Sequence, residues 1–291
     1  MPDSIDRMLK PHIQDLGGFQ ARRLLPHEHR MMVGPFIFFD HLGPAQFAPG
    51  QGVDVRPHPH INLATVTYLF EGVLRHRDSL GVVQDIYPGA VNWMTAGRGI
   101  THSERTPEFV RQREAVLHGI QTWVALPDDQ EEVAPWFKHH PEGTLPRWQA
   151  DGATITLIAG AADGYSSPVQ TLSPMVYLDV QCTPGSRVVI PTDYRERAVY
   201  SVTEGITLDN EPLPQHRMVL LAPGSTPELG ATATGRCMII GGEPVGPRIK
   251  WWNFVSSRQA RINQAKQDWK AGRFSAVPEE TEFIPLPEGR P

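Results

Sequence analysis

The sequence predicts an all-β protein made of two similar barrels in tandem, followed by a short C-terminal helix. Three observations predict it. The 291 residues include 28 prolines and 26 glycines, a content that sets turns at short intervals and leaves little room for long helices. Between those turns lie short runs rich in Val, Ile, Thr and aromatic residues, which suit a sheet. The series of such runs also stops and then repeats, so the fold is expected to be duplicated.

The elements follow in order. Residues 33–40 contain Phe36, Ile37, Phe38 and Phe39 and read as a strand, with the Gly- and Pro-rich stretch 43–52 as the loop after it. Residues 62–71 mix Leu63, Val66, Tyr68, Leu69 and Phe70 with Thr65 and Thr67, and Gly72 closes the strand. Further strands are expected at 73–78, 82–87, 90–94 and 117–126, a spacing typical of a β-sandwich or barrel. From 127 to 150 the chain turns acidic, then rich in proline and histidine. His139 and His140 are expected there as exposed linker residues, because adjacent side chains of an extended segment point oppositely.

A second series is expected at 153–158, 175–181, 187–190, 198–204, 218–222 and 236–241. Matching Gly205 to Gly72 sets Pro191 and Asp193 where the first half has His58 and His60, so the second barrel should lack metal ligands. Ser256 or Ser257 would cap a helix with Ile262, Ala265 and Trp269 on its apolar stripe and Gly272 at its end. Residues 277–291 read as a loosely held tail. The expected division is a metal-bearing barrel at 1–137, a linker at 138–150, a second barrel at 151–247, and helix and tail at 248–291.

Charge and cysteine usage narrow the function. Lys plus Arg is 27 against 32 Asp plus Glu, a formal net charge of -5, with no basic run to follow a phosphate backbone, which argues against direct nucleic-acid binding. Cys182 and Cys237 are the only cysteines and are expected as buried free thiols. No stretch approaches the roughly twenty apolar residues of a membrane span, and the N-terminus has no signal-like apolar core, so a cytoplasmic protein off the membrane is expected.

The chemistry concentrates in His58-Pro59-His60 and in Gly97-Arg98-Gly99-Ile100-Thr101-His102-Ser103-Glu104. Residues two apart on a strand share a face, so each pair offers two ligands in one direction. Neighbouring antiparallel strands would aim both pairs at one point, with three imidazoles and one carboxylate around a divalent cation. On a regular strand the even-numbered Asn62, Ala64, Val66 and Tyr68 would share that face, with Val66 and Tyr68 as core and Ala64 leaving room near the metal. Asp40 and His41 are read as turn or capping residues, with support behind the ligands as the alternative. His76 and His118 are read as hydrogen-bonded structural imidazoles and His216 as a surface turn.

Gly-Pro-Phe-Ile-Phe-Phe-Asp at 34–40, His-Pro-His at 58–60, Thr-Val-Thr-Tyr-Leu-Phe-Glu-Gly at 65–72 and Trp-Met-Thr-Ala-Gly-Arg-Gly-Ile-Thr-His-Ser-Glu at 93–104 give the sequence a specific resemblance to the pirins. These are members of the cupin superfamily with two jelly-roll barrels in tandem. The motifs span about residues 20–125, and the second half is similar mainly in its strand pattern. The resemblance implies metal ligands at His58, His60, His102 and Glu104. It favours Fe2+, with Ni, Co, Cu, Zn or Mn also accepted by such ligands. It implies a quercetin 2,3-dioxygenase type of reaction on a flavonol-like substrate with O2. The alternatives are a non-catalytic, metal-dependent, redox-sensing protein that acts on a protein partner, and a bicupin whose metal is structural. The sequence departs from the pirin pattern at Ala64, where pirins commonly carry a glutamate that can take the substrate proton. Glu104 would then have to serve as ligand and catalytic base together.

Overall fold

The turn density of the sequence is realised as strands. In the computed structural model, which describes residues 3–16 and 18–289, the regular structure is almost entirely β, with single helical turns at Glu108–Arg111 and, as a 3₁₀ turn, at Asp128–Gln130, and one longer helix, α1 (Gln259–Lys270). Two compact units are present, and neither is continuous in sequence. One comprises Asp15–Ala21, Leu42–Glu142 and Val245–Pro291; the other comprises Met1–Gln14, Arg22–His41 and Gly143–Pro244.

The first unit is a jelly roll. After β1 (Phe36–Phe47), which enters it from the second unit, come β2 (Asp54–His60), β3 (Leu63–Glu71), β4 (Leu74–Asp78), β5 (Val83–Ile86), β6 (Val91–Thr95), β7 (Ile100–Arg105), β8 (Ala115–Ala125) and β9 (Trp136–His140). One sheet has the order β2-β7-β4-β5, and the other runs β9-β6-β3-β8-β1. Phe19, Leu42, Phe47, Leu69, Leu74, Ile86 and Leu117 fill part of the interior and Met94, Ala96, Ile100 and Phe137 another part. Each large apolar side chain so buried contributes about 1.5–3 kcal/mol.

Two expectations change here. The strand beginning at Phe36 runs on to Phe47, into the first half of the stretch 43–52 expected as loop, and the loop follows at 48–52. Gly43 makes this feasible: at φ +70° a Cβ there would stand 2.2 Å from the Leu117 carbonyl oxygen of β8, so only glycine lets the backbones meet. His139 and His140 lie in β9, paired with β6, and His139 Nδ1 is 2.7 Å from Asn92 Oδ1. They belong to a sheet instead of an exposed linker.

The second unit repeats the plan with β10 (Ala153–Ala162), β11 (Met175–Cys182), β12 (Glu196–Ser201), β13 (Met218–Leu221) and β14 (Gly235–Gly242). They form a sheet in the order Ile5–Leu9, β13, β12, β14, β11, β10, Arg147–Ala150, opposite a four-stranded sheet, around a core that includes Leu157, Leu178, Val199, Val219, Leu229 and Ile239. Gly72 and Gly205 both have positive φ, +93° and +85°, in keeping with their equivalent places. Asp193 is exposed. Cys182 and Cys237 are buried and unbridged.

The C-terminal segment belongs to the first unit and is held more firmly than the sequence suggests. Neither serine is the helix cap. Arg258 is the N-cap residue, Ser256 Oγ accepts its backbone N–H at 3.1 Å, and the buried Glu131 carboxylate receives the Ser257 N–H at 2.6 Å together with both serine hydroxyls. Ile262 and Ala265 pack with Ile61 and Phe254, and Trp269 joins them, as the predicted stripe requires. The tail, expected to be loose, is anchored across β7. Arg105 makes a two-pronged bond to Glu280 at 3.0 and 2.7 Å, and Ser103 donates to the same carboxylate at 2.8 Å. Ile284 N–H donates to the Pro57 carbonyl at 2.8 Å. Among the described residues no helix is long and apolar enough to cross a membrane.

Candidate metal centre

Strands β2 and β7 are antiparallel neighbours, with His102 opposite His58 and Ile100 opposite His60. Beyond His102 the register shifts, so that Arg56 and Pro57 of β2 together face Ser103 of β7. A proline, which lacks an N–H, is at home in such a bulge. Alternation then turns His58, His60 and His102 inward, and the turn that feeds β7 is fixed by Gly97, where a Cβ would stand 2.0 Å from the Val133 carbonyl oxygen. The ring centroids are 4.4 Å apart for His58–His102 and 5.0 Å for the other two pairs. One nitrogen from each ring lies within 4.8 Å of the others, the one grouping of this kind among the described residues.

Their hydrogen bonds set the tautomers. His58 Nδ1 donates to the Arg56 carbonyl at 2.9 Å and His60 Nδ1 to the Asn253 carbonyl at 3.0 Å; a carbonyl only accepts, so each Nε2 keeps its lone pair. Behind His102 a relay does the same. The Asp78 carboxylate, which also receives the N–H groups of Leu80 and Val82, lies 3.0 Å from His76 Nε2. His76 Nδ1 is left to accept from His102 Nδ1 at 3.4 Å. His102 Nε2 is buried and has no hydrogen-bond partner among the described residues, which is costly for a polar atom unless something else binds it. Burial holds the His58 ring down to a pKa of about 4, and burial with the neighbouring rings holds His60 and His102 well below the usual imidazole range. Three neutral imidazoles with inward lone pairs fit a borderline divalent cation.

Glu104 shares the inward face of β7 with His102. Gln121 Nε2 donates to its Oε1 at 3.1 Å, and the Thr67 hydroxyl, 3.4 Å from that oxygen, is 2.9 Å from Gln121 Oε1. Burial raises the carboxyl pKa, partly offset by His76 and these two hydrogen bonds. The structure thus brings the three predicted histidines together and ties the predicted carboxylate to Gln121 and Thr67. Trp123 stands edge-on to His60 at 4.9 Å, and Phe137 stacks on His76 at 4.4 Å.

The expected lining by Asn62, Ala64, Val66 and Tyr68 is wrong in parity. Asn62 takes φ +58° and spends its amide on the Glu131 and Gly97 carbonyls, so the alternation running along β2 does not continue into β3. Thr67 reaches the site instead, and the regular pairing of Ala64 to Tyr68 with both neighbouring strands sets the even residues on the opposite face. Ala64 therefore removes nothing from the pocket. Asp40 and His41 lie in the other unit, bound to Arg23 at 2.9 and 2.8 Å and to the Tyr200 hydroxyl at 2.7 Å. His118 is edge-on to Phe70, and His216 is at a turn with φ +59°. Sequence reasoning missed Thr67, Gln121 and Asn253 and discounted His76, although His76-x-Asp78 repeats the two-residue spacing of the ligand pairs.

The chain matches the pirin family over residues 18–124 and the pirin C-terminal cupin domain over residues 177–275. It belongs to the pirin family. A pirin-like protein of Caulobacter vibrioides is 49% identical over 290 residues, 98% of this chain and 100% of that protein. A Pseudomonas aeruginosa protein provisionally named a quercetin 2,3-dioxygenase is 41% identical over 88% of this pirin and 80% of its own length. Among solved structures, a quercetin 2,3-dioxygenase from Acinetobacter baumannii aligns with a TM-score of 0.89 at 34% identity, covering 98% of this chain and 97% of that one.

Proposed function

We propose that this pirin is a metal-dependent dioxygenase of the quercetin 2,3-dioxygenase type, acting on a flavonol-like substrate with O2. The observation that carries the reading is the meeting of three imidazoles, His58 and His60 of β2 and His102 of β7, with the buried Glu104 carboxyl two residues beyond His102 on β7; the names of the Pseudomonas and Acinetobacter relatives supply the reaction type. His58, His60 and His102 would hold the cation, with Glu104 as fourth ligand, and Fe2+ is the favoured metal. When bound, such a cation acts as a Lewis acid that lowers the pKa of a substrate hydroxyl.

The chain's own residues do the rest. Glu104, its carboxylate poised by burial, takes the proton of the flavonol 3-hydroxyl. Gln121 holds the Glu104 carboxylate toward the pocket through Oε1. Trp123 and Phe137, packed on His60 and His76, give the flat substrate an apolar wall and keep water away. The two unbridged thiols suit a reducing compartment, so the reading includes a cytoplasmic location.

Purified protein reconstituted separately with Fe, Ni, Co and Cu is expected to bleach quercetin absorbance and release carbon monoxide with at least one metal. Failure with every metal, on protein shown to be loaded, would overturn the assignment. In that event a pull-down comparing Fe(II) and Fe(III) protein tests the regulatory alternative.

A further inference from the structure

We propose a second small-molecule site on the outer face of the β2-β7 sheet, behind the histidines, for a flat, uncharged aromatic compound that carries one hydroxyl or carbonyl. It goes beyond the activity proposed above and does not depend on it. A cavity of 530 Å³ lies between this face and the C-terminal segment, lined by Pro57 and Thr101 on the barrel side and by Trp269, Phe274, Phe283 and Leu286 on the other. That volume is within the ordinary range for small-molecule pockets, and aromatic walls favour flat rings.

Two further features point to a ligand. The Thr101 hydroxyl oxygen is buried and without a hydrogen-bond partner among the described residues, though the side chain lines the cavity. Such an atom costs stability until a guest pairs with it. The roof is also pinned in place: Glu280 and Glu282 are bound by Arg105 at 2.7 and 3.0 Å, and the Trp269 indole N–H donates to the Ile284 carbonyl at 3.0 Å. Glu280 and Glu282 share the Arg105 cation, and Lys270 also lines the cavity, so charges of both signs stand at its wall and an uncharged guest is favoured over an ion of either sign. The pinned roof supplies the preorganisation that a weak ligand requires.

The test uses 2-naphthol as probe, with calorimetry on the full chain, both zinc-loaded and chelator-treated. The expected result is one saturable site with Kd on the order of 10⁻⁴ M, equal in both metal states. Thr101→Val should weaken it about five- to tenfold, with Thr101→Ser restoring it. On the wild type, 2-methylnaphthalene, which has the shape without the hydroxyl, should bind about as weakly as 2-naphthol binds the valine variant, an arm that needs no variant to fold. Absence of saturable binding, an affinity that changes on zinc loading, or equal affinities for the two probes would overturn the proposal.

Discussion

The Nδ1 atoms of His76 and His102 stand 3.4 Å apart, and one proton must lie between them. Since His76 gives its Nε2 proton to Asp78 at 3.0 Å, the shared proton belongs to His102, whose Nε2 is then a free electron pair aimed into the pocket. His76 so decides which nitrogen His102 offers a metal, without touching the metal itself. Groups that orient a ligand imidazole are typically worth 10- to 100-fold in metal affinity. His76→Phe, which keeps the ring stacked near Phe137, is expected to weaken zinc binding by about that factor in a chelator competition. Unchanged affinity would show that His102 needs no relay.

Metal binding should also appear as stability. A cation present at a hundredfold over its Kd adds about 2.7 kcal/mol, roughly 5–10 °C in Tm for a domain of this size. A thermal melt with and without zinc checks this, and His58→Ala should remove the shift. A variant that melts like the metal-free wild type and still gains from zinc would move the site elsewhere.

The lowered imidazole pKa values give a pH dependence whose sign follows from proton counts. For His58, with an unfolded value of 6.5 and a folded value of about 4, the unfolded chain binds the extra proton between those limits. The penalty on folding is absent above about pH 6.5, grows as pH falls and levels off below about 4, reaching roughly 3 kcal/mol for this ring alone. His60 and His102 shift in the same direction. Urea titrations of the metal-free protein from pH 7.5 to 4 are therefore expected to show falling stability, less steeply in His58→Ala. A flat profile would mean that the rings are hydrated.

Glu104→Gln keeps the shape and removes the proposed base. Turnover of quercetin is expected to fall by about 10²–10⁴-fold, while metal stoichiometry, supported by three imidazoles, stays near one. Full turnover would assign the proton to another group.

What was legible in the sequence, and what was not, divides by the range of the cause. The histidines could be read because a two-residue spacing fixes a face locally, whatever the rest of the chain does, and the barrels because β-branched runs between glycines and prolines signal strands within a few residues. The His60 bond to Asn253 joins positions 193 apart, and the clamp of Arg105 on Glu280 joins positions 175 apart; neither has a local signature, so composition alone makes the tail look loose. Asn62 failed differently. Its left-handed backbone is a local event, but its amide bonds to Gly97 and Glu131 are tertiary, and no spacing rule anticipates the change of parity they impose on β3.

That change of parity makes position 64 a direct test of the register. Had β3 continued the alternation of β2, Ala64→Glu would put a second carboxylate beside the histidines and could tighten metal binding or raise turnover. With Thr67 on the inward face, Ala64, fully buried at 0% exposure, points away from them and pairs across to Thr95 and Val124. A glutamate there enters a fully buried position between Thr95 and Val124, and both overpacking and burial of a carboxylate are destabilising. Ala64→Glu is therefore expected to lose at least about 3 kcal/mol in urea unfolding and to leave the zinc affinity of the folded fraction within about twofold, a factor worth less than half a kcal/mol. A stable variant with tighter metal binding would show that residue 64 faces the histidines after all.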